Sequence, residues 1–85
     1  MNKYFVLRKT NRMRTELLTE KSQEQLKEVI RYLRRVSWDF CGIELVRSDL
    51  LDIAIQANKE NQELFDSISD AKTFVEEVKP SLKTL

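Results

Sequence analysis

The chain has no histidine, and only one cysteine, one glycine and one proline in 85 residues. Without histidine there is no imidazole for a serine or cysteine triad, for metal ligation, or for acid–base work near neutral pH. The lone cysteine, Cys41, cannot form an intrachain disulfide, which fits a reducing compartment. With no base to activate it, Cys41 reads as a buried or half-buried small hydrophobe, and one cysteine without histidine does not make a zinc site. A single glycine, Gly42, excludes a glycine-rich phosphate-cradling loop. Scarce glycine and proline together argue for long helices and few turns. No run approaches the ~20 apolar residues of a membrane span, and the run Tyr4–Leu7 is too short for a signal-peptide core. The expectation is a cytoplasmic protein with no membrane association, no cofactor and no metal.

What is present is helical periodicity. At 100° per residue, Ile43, Val46, Leu50, Ile53, Ala54 and Ala57 fall within one arc of about 100°. Leu51 and Ile55 widen that arc on one side, and Ser48, Asp52, Gln56 and Lys59 form the opposite, wet stripe. An arc this wide needs packing partners on two sides, so the helix from Ile43 to Asn61 is placed at the centre. Leu51 and Ile55 face either the protein's own first helix or a second chain, and they are the candidate partner surface.

The other helices follow in order. Residues 3–18 read as a helix with Asn2 as its N-cap. Val6, Thr10, Met13 and Leu17 recur at helical spacing, and Tyr4, Phe5, Leu7 and Leu18 add apolar surface. Ser22 with Gln25 spells a Ser-x-x-Gln capping box for a second helix. Leu26, Val29, Ile30, Leu33, Val36 and Phe40 give that helix the clearest amphipathic signal in the chain. Gly42 is expected to take the left-handed conformation that reverses the chain after it. Trp38 and Phe40 beside it read as plugs for the end of a core, or as a ligand-stacking pair. Asn58–Asn61 ends the central helix, and Leu64, Phe65 and Ile68 are linker residues that tuck under the bundle. Ser69 or Asp70 caps a short last helix from Ala71 to about Lys79, with Phe74, Val75 and Val78 inward and Glu76 and Glu77 outward. Pro80 ends it, and residues 80–85 read as a frayed tail. The fold expected is one all-α domain over residues 1–85. It is an up-and-down antiparallel helical bundle of three longer helices plus a short C-terminal helix.

Charge is unevenly placed. Residues 1–35 hold ten Lys/Arg against four Glu (+6), and residues 36–85 hold five Lys/Arg against ten Asp/Glu (−5). The two halves can attract each other, within one chain or between two, or the basic half can face nucleic acid. Lys3, Arg8, Lys9, Arg12 and Arg14 make helix 1 the most basic stretch. Lys27, Arg31, Arg34 and Arg35 form the outer face of helix 2 and the candidate nucleic-acid surface, with Glu24 and Glu28 interleaved and able to pair with them. Asp49 and Asp52, three apart on the central helix, have the spacing to share a magnesium ion with a phosphate. With no further acid–base group beside them, the plainer reading is an ion pair from Asp49 to a basic residue of the first two helices.

Ile30-Arg31-Tyr32-Leu33, Asp49-Leu50-Leu51-Asp52, Ala57, and Phe74 with Glu77 resemble a small helical family of Firmicutes, the domain of unknown function 1048. The likeness covers roughly residues 24–79. The resemblance implies an all-α fold with no established activity, encoded in many cases beside PadR-type transcriptional regulators. Family members have glycine after the central helix and again before the last one, and Asn61 and Ser69 stand at those positions here. Three functions are in view. The first is a non-catalytic module that associates with itself as a homodimer or with a regulatory protein. The second is a weak, nonspecific nucleic-acid binder through the basic faces of helices 1 and 2. The third, an enzyme, is disfavoured by the missing acid–base groups.

Overall fold

The computed structural model describes residues 3–82; the expected Asn2 cap and residues 83–85 of the tail lie outside them. Five α-helices follow one another: α1 Lys3–Thr15, α2 Glu20–Val36, α3 Phe40–Lys59, α4 Leu64–Ile68 and α5 Ala71–Val78, with a 3-10 turn at Lys79–Ser81. The all-α bundle is as the periodicity predicts. The linker Leu64–Ile68 is itself a short helix, and Leu64 is fully buried.

α3 is central. α1, α2 and α4 all pack on it, and α5 packs on α2. Ile43, Val46, Leu50, Leu51, Ala54 and Ala57 of α3 are buried together with Leu26, Val29, Ile30 and Leu33 of α2. Side-chain pairings fix the directions. Asn11 meets Glu44, Arg14 meets Ser48 and Thr19 meets Asn58, so α1 runs parallel to α3. Ser22 of α2 meets Asn58, so α2 begins where α3 ends and runs antiparallel to it. The Cα trace spans 35 × 32 × 16 Å, a flat slab.

Three local readings change in the structure. Ser22 is not the cap of α2. Thr19 is, its hydroxyl accepting from the Ser22 N–H at 3.2 Å. Ser22 is buried, and its hydroxyl accepts from Asn58 Nδ2 (3.0 Å) and from the Leu64 N–H (3.1 Å). Gln25 likewise accepts from the Phe65 N–H at 2.9 Å. The pair that spells a local capping box is instead a polar clasp between the start of α2 and the turn after α3. Gly42 does not reverse the chain, since it lies in the first turn of α3 and donates its N–H to Asp39 Oδ1 at 2.9 Å. A Cβ there would sit 2.5 Å from Asp39 Oδ2 and 2.7 Å from Leu82 Cδ2, so a larger residue would make the ends of those two side chains shift. Trp38 and Phe40 do not plug the core; they are 54% and 64% exposed.

The end of α3 is a Schellman turn. The Gln62 N–H donates to the Ala57 carbonyl (2.8 Å) and the Asn61 N–H to that of Asn58 (3.1 Å), with Asn61 at φ 61°. Ser69 also has positive φ, 73°, with ψ −83°. Asparagine tolerates its position; serine at φ 73° carries Cβ strain that glycine does not. Ser69→Gly is therefore expected to raise the unfolding free energy by about 1 kcal/mol after the entropic cost of glycine. Urea denaturation reads this out as a higher midpoint with an unchanged slope. Asp70 caps α5 by accepting from the Thr73 N–H at 2.7 Å, and that bond holds its carboxyl below the usual aspartate range. Leu82, in the tail read as frayed, is half-buried and packs against the core.

Candidate functional site

α1 carries two apolar stripes, and the one expected to face inward faces out. Val6, Met13 and Leu17 are 46%, 63% and 72% exposed, and Thr10 between them is exposed as well. The stripe laid on α3 is Tyr4, Leu7, Asn11 and, just past the helix, Leu18. At its centre Asn11 is fully buried and donates Nδ2 to the Glu44 carbonyl (2.9 Å) and to Glu44 Oε1 (3.1 Å). A polar residue in mid-stripe disguised the packed face in the sequence. The spacing Tyr4, Leu7, Asn11, Leu18 was the signal available. Arg14 completes this seam, donating to Ser48 Oγ at 3.2 Å and pairing with Asp52.

Next to the outward stripe, Leu45 of α3 is 59% exposed. An open, mostly apolar groove of about 590 Å³ lies between the two helices, lined by Lys3, Tyr4, Val6, Leu7 and Thr10 of α1 and by Cys41 and Leu45 of α3. Cys41, expected to be buried or half-buried, is exposed at this groove. Leu45, Asp49 and Asp52 stand at i, i+4 and i+7, so they share one stripe of α3. The ion pair expected of Asp49 is made by Asp52 instead; Asp49 is exposed and makes no ion pair among the described residues. No group of three or more His, Cys, Asp or Glu among the described residues is arranged to hold a metal ion.

The expected partner residues lie elsewhere. Leu51 is fully buried in the chain's own core, and Ile55 is half-buried against it. The physical reason is the covering of α3 from several sides by α1, α2 and α4, which takes up most of the width of its apolar arc and leaves Ile53 and Ile55 half-buried.

The basic residues of helix 2 divide. Lys27, Arg31 and Arg34 border a groove between α1 and α2, whereas Arg35 lies over the Tyr32 ring, its Cζ 5.5 Å from the centroid. Lys27 is loosely paired to Glu24 at 3.7 Å, with both side chains largely exposed, a pair of little energetic weight. Across the groove stand Arg8 and Arg12 of α1, and Arg47 of α3 lies between the two walls. Arg47 was not singled out in the sequence because no other Lys or Arg lies near it along the chain. Its Nε is 3.3 Å from Glu44 Oε1 but makes no hydrogen bond among the described residues. Burial, and then the nearby charges of Arg34 and Arg8, lower its pKa, with Glu44 partly offsetting them.

Among the described residues no helix is long and apolar enough to cross a membrane. Comparison with family models, with curated proteins and with solved structures found no match to this chain.

Proposed function

We propose that the chain is a non-catalytic interaction module that self-associates, a second copy covering the apolar face of α1 and the start of α3. The observation that carries this is the alignment of Val6, Met13 and Leu17 with Leu45 on one exposed face beside an unfilled apolar groove. Large side chains scattered singly over a surface need no explanation; a contiguous set does.

The occupant follows from charge. α1 carries Lys3, Arg8, Lys9, Arg12 and Arg14 and no carboxylate. Two α1 helices set against each other alone would repel. The same face, however, brings Asp49, exposed and unpaired among the described residues, on the stripe that contains Leu45, with Lys9 one turn from Met13 on α1. A two-fold arrangement that sets the α1 side of one copy on the α3 side of the other pairs cations with carboxylates around an apolar centre. The interface is thus self-complementary, with no need of a different partner.

Membership of the family of unknown function named above is part of this proposal. Positive φ at both Asn61 and Ser69, where that family has glycine, supports the alignment. The association of that family with transcriptional regulators supports a regulatory role for the assembly.

Cys41 can serve as a reporter for the proposed interface. It is the sole thiol, it is exposed, and it lines the groove. Its rate of alkylation by a maleimide is expected to fall as the native protein is concentrated, because a second copy covers it. A rate independent of protein concentration would place the contact elsewhere.

A further inference from the structure

The groove between α1 and α2 is a separate feature on another side of α1. Around α1, Arg8 and Arg12 lie about 60–100° to one side of the buried Asn11, whereas Val6, Thr10, Met13 and Leu17 lie on the other side. Two adjoining hollows of about 350 and 250 Å³ share Thr15, Arg34 and Arg47. Their walls are antiparallel. Arg8 to Thr15 on α1 and Lys27 to Arg34 on α2 each cover about 10 Å of helix axis.

We propose that this groove binds a short linear oligophosphate, gripped by Arg8, Arg12, Arg34 and Arg47, with Lys27 and Arg31 at its far end. Cations on both walls and between them converge on one recess, where guanidinium groups can each hold phosphate oxygens in a bidentate fork. Arg47 is held partly buried close to Arg8 and Arg34, and the one carboxylate paired with it among the described residues, Glu44, is shared with Asn11. Crowding like charges in a recess is unfavourable in the free protein and is relieved by a multiply charged anion.

The dimensions and lining favour a compact phosphate ligand over a nucleic-acid strand. Between the cations lie Thr15, Gln23, Leu26 and Ile30, and among the described residues no aromatic ring lines either hollow as a platform for base stacking. The basic track also stops. Glu24 pairs with Lys27 on α2 and faces any polymer that extends further, whereas Glu16 lines the hollow itself beside Arg8 and Arg12.

The test is calorimetric titration of the full chain with inorganic tripolyphosphate at physiological ionic strength, with a short single-stranded oligonucleotide as a parallel arm. Saturable binding at one site per chain and a raised melting temperature are expected. Arg8→Gln and Arg34→Gln should each weaken binding about tenfold or more, as loss of a charged hydrogen-bonding partner does. Neither should lower the melting temperature of the free protein, because each removes a like charge beside Arg47. Arg35→Gln, over Tyr32 and off the groove, should bind as the native chain does. Three results would overturn the proposal: no saturable heat with tripolyphosphate, equal weakening in Arg35→Gln, or saturable binding of the oligonucleotide where tripolyphosphate does not bind.

Discussion

Leu51→Glu is expected to unfold the protein. Leu51 is fully buried in α3, at the centre of the slab. Truncating such a leucine costs about 2–5 kcal/mol, and a carboxylate in its place adds a desolvation penalty of several kcal/mol or forces the group to stay protonated. A chain of this length has a total stability of roughly 4–13 kcal/mol at ~0.05–0.15 kcal/mol per residue. The substitution therefore removes most or all of it. Far-UV circular dichroism at room temperature should show loss of helix, or a melting temperature lowered by tens of degrees. A fully folded Leu51→Glu chain with native melting temperature would mean that Leu51 is a surface residue, as the sequence alone allowed.

Met13→Glu and Leu45→Glu are expected to do the opposite, leaving the fold intact and abolishing association. Both side chains are more than half exposed in the single chain. Surface substitutions of this kind change folding stability by about 0.5 kcal/mol or less. In a two-fold interface each substitution occurs twice, and each places an unpaired carboxylate at the apolar centre of the contact. A combined cost of about 3 kcal/mol or more corresponds to a dissociation constant at least about a hundredfold weaker. Far-UV spectra and melting curves should match the native chain at low concentration, while the concentration dependence of the mass is lost. Loss of fold in both variants, or unchanged association in both, would remove this face from the interface.

Much of the fold was legible. α2 and α5 show one apolar stripe each, and most of each stripe is buried: Leu26, Val29, Ile30, Leu33 and Val75 fully, Val36, Phe74 and Val78 partly, whereas Phe40 is exposed as the first residue of α3. The width of the α3 arc forecast a central helix. The sequence did not say which neighbours would cover that arc, and so it left Leu51 and Ile55 open to a second chain. α1 was misread for a physical reason. It has two apolar stripes, and burial was decided by Asn11, whose amide meets the backbone and side chain of Glu44, 33 positions away. Ser22 and Gln25 fit a local cap equally well as a tertiary clasp, because hydrogen-bonding groups of the right spacing serve both. The basic groove was half visible in Lys27, Arg31 and Arg34. Arg47, Arg8 and Arg12 joined it only through the parallel packing of α1 on α3, which no local pattern encodes.

Sedimentation equilibrium of the native chain across the micromolar range tests the central claim most directly. The mass is expected to rise from that of one chain to that of two, and to stay at one chain for Met13→Glu over the same range. A native chain that keeps the mass of a single copy at every concentration would contradict self-association through α1 and α3.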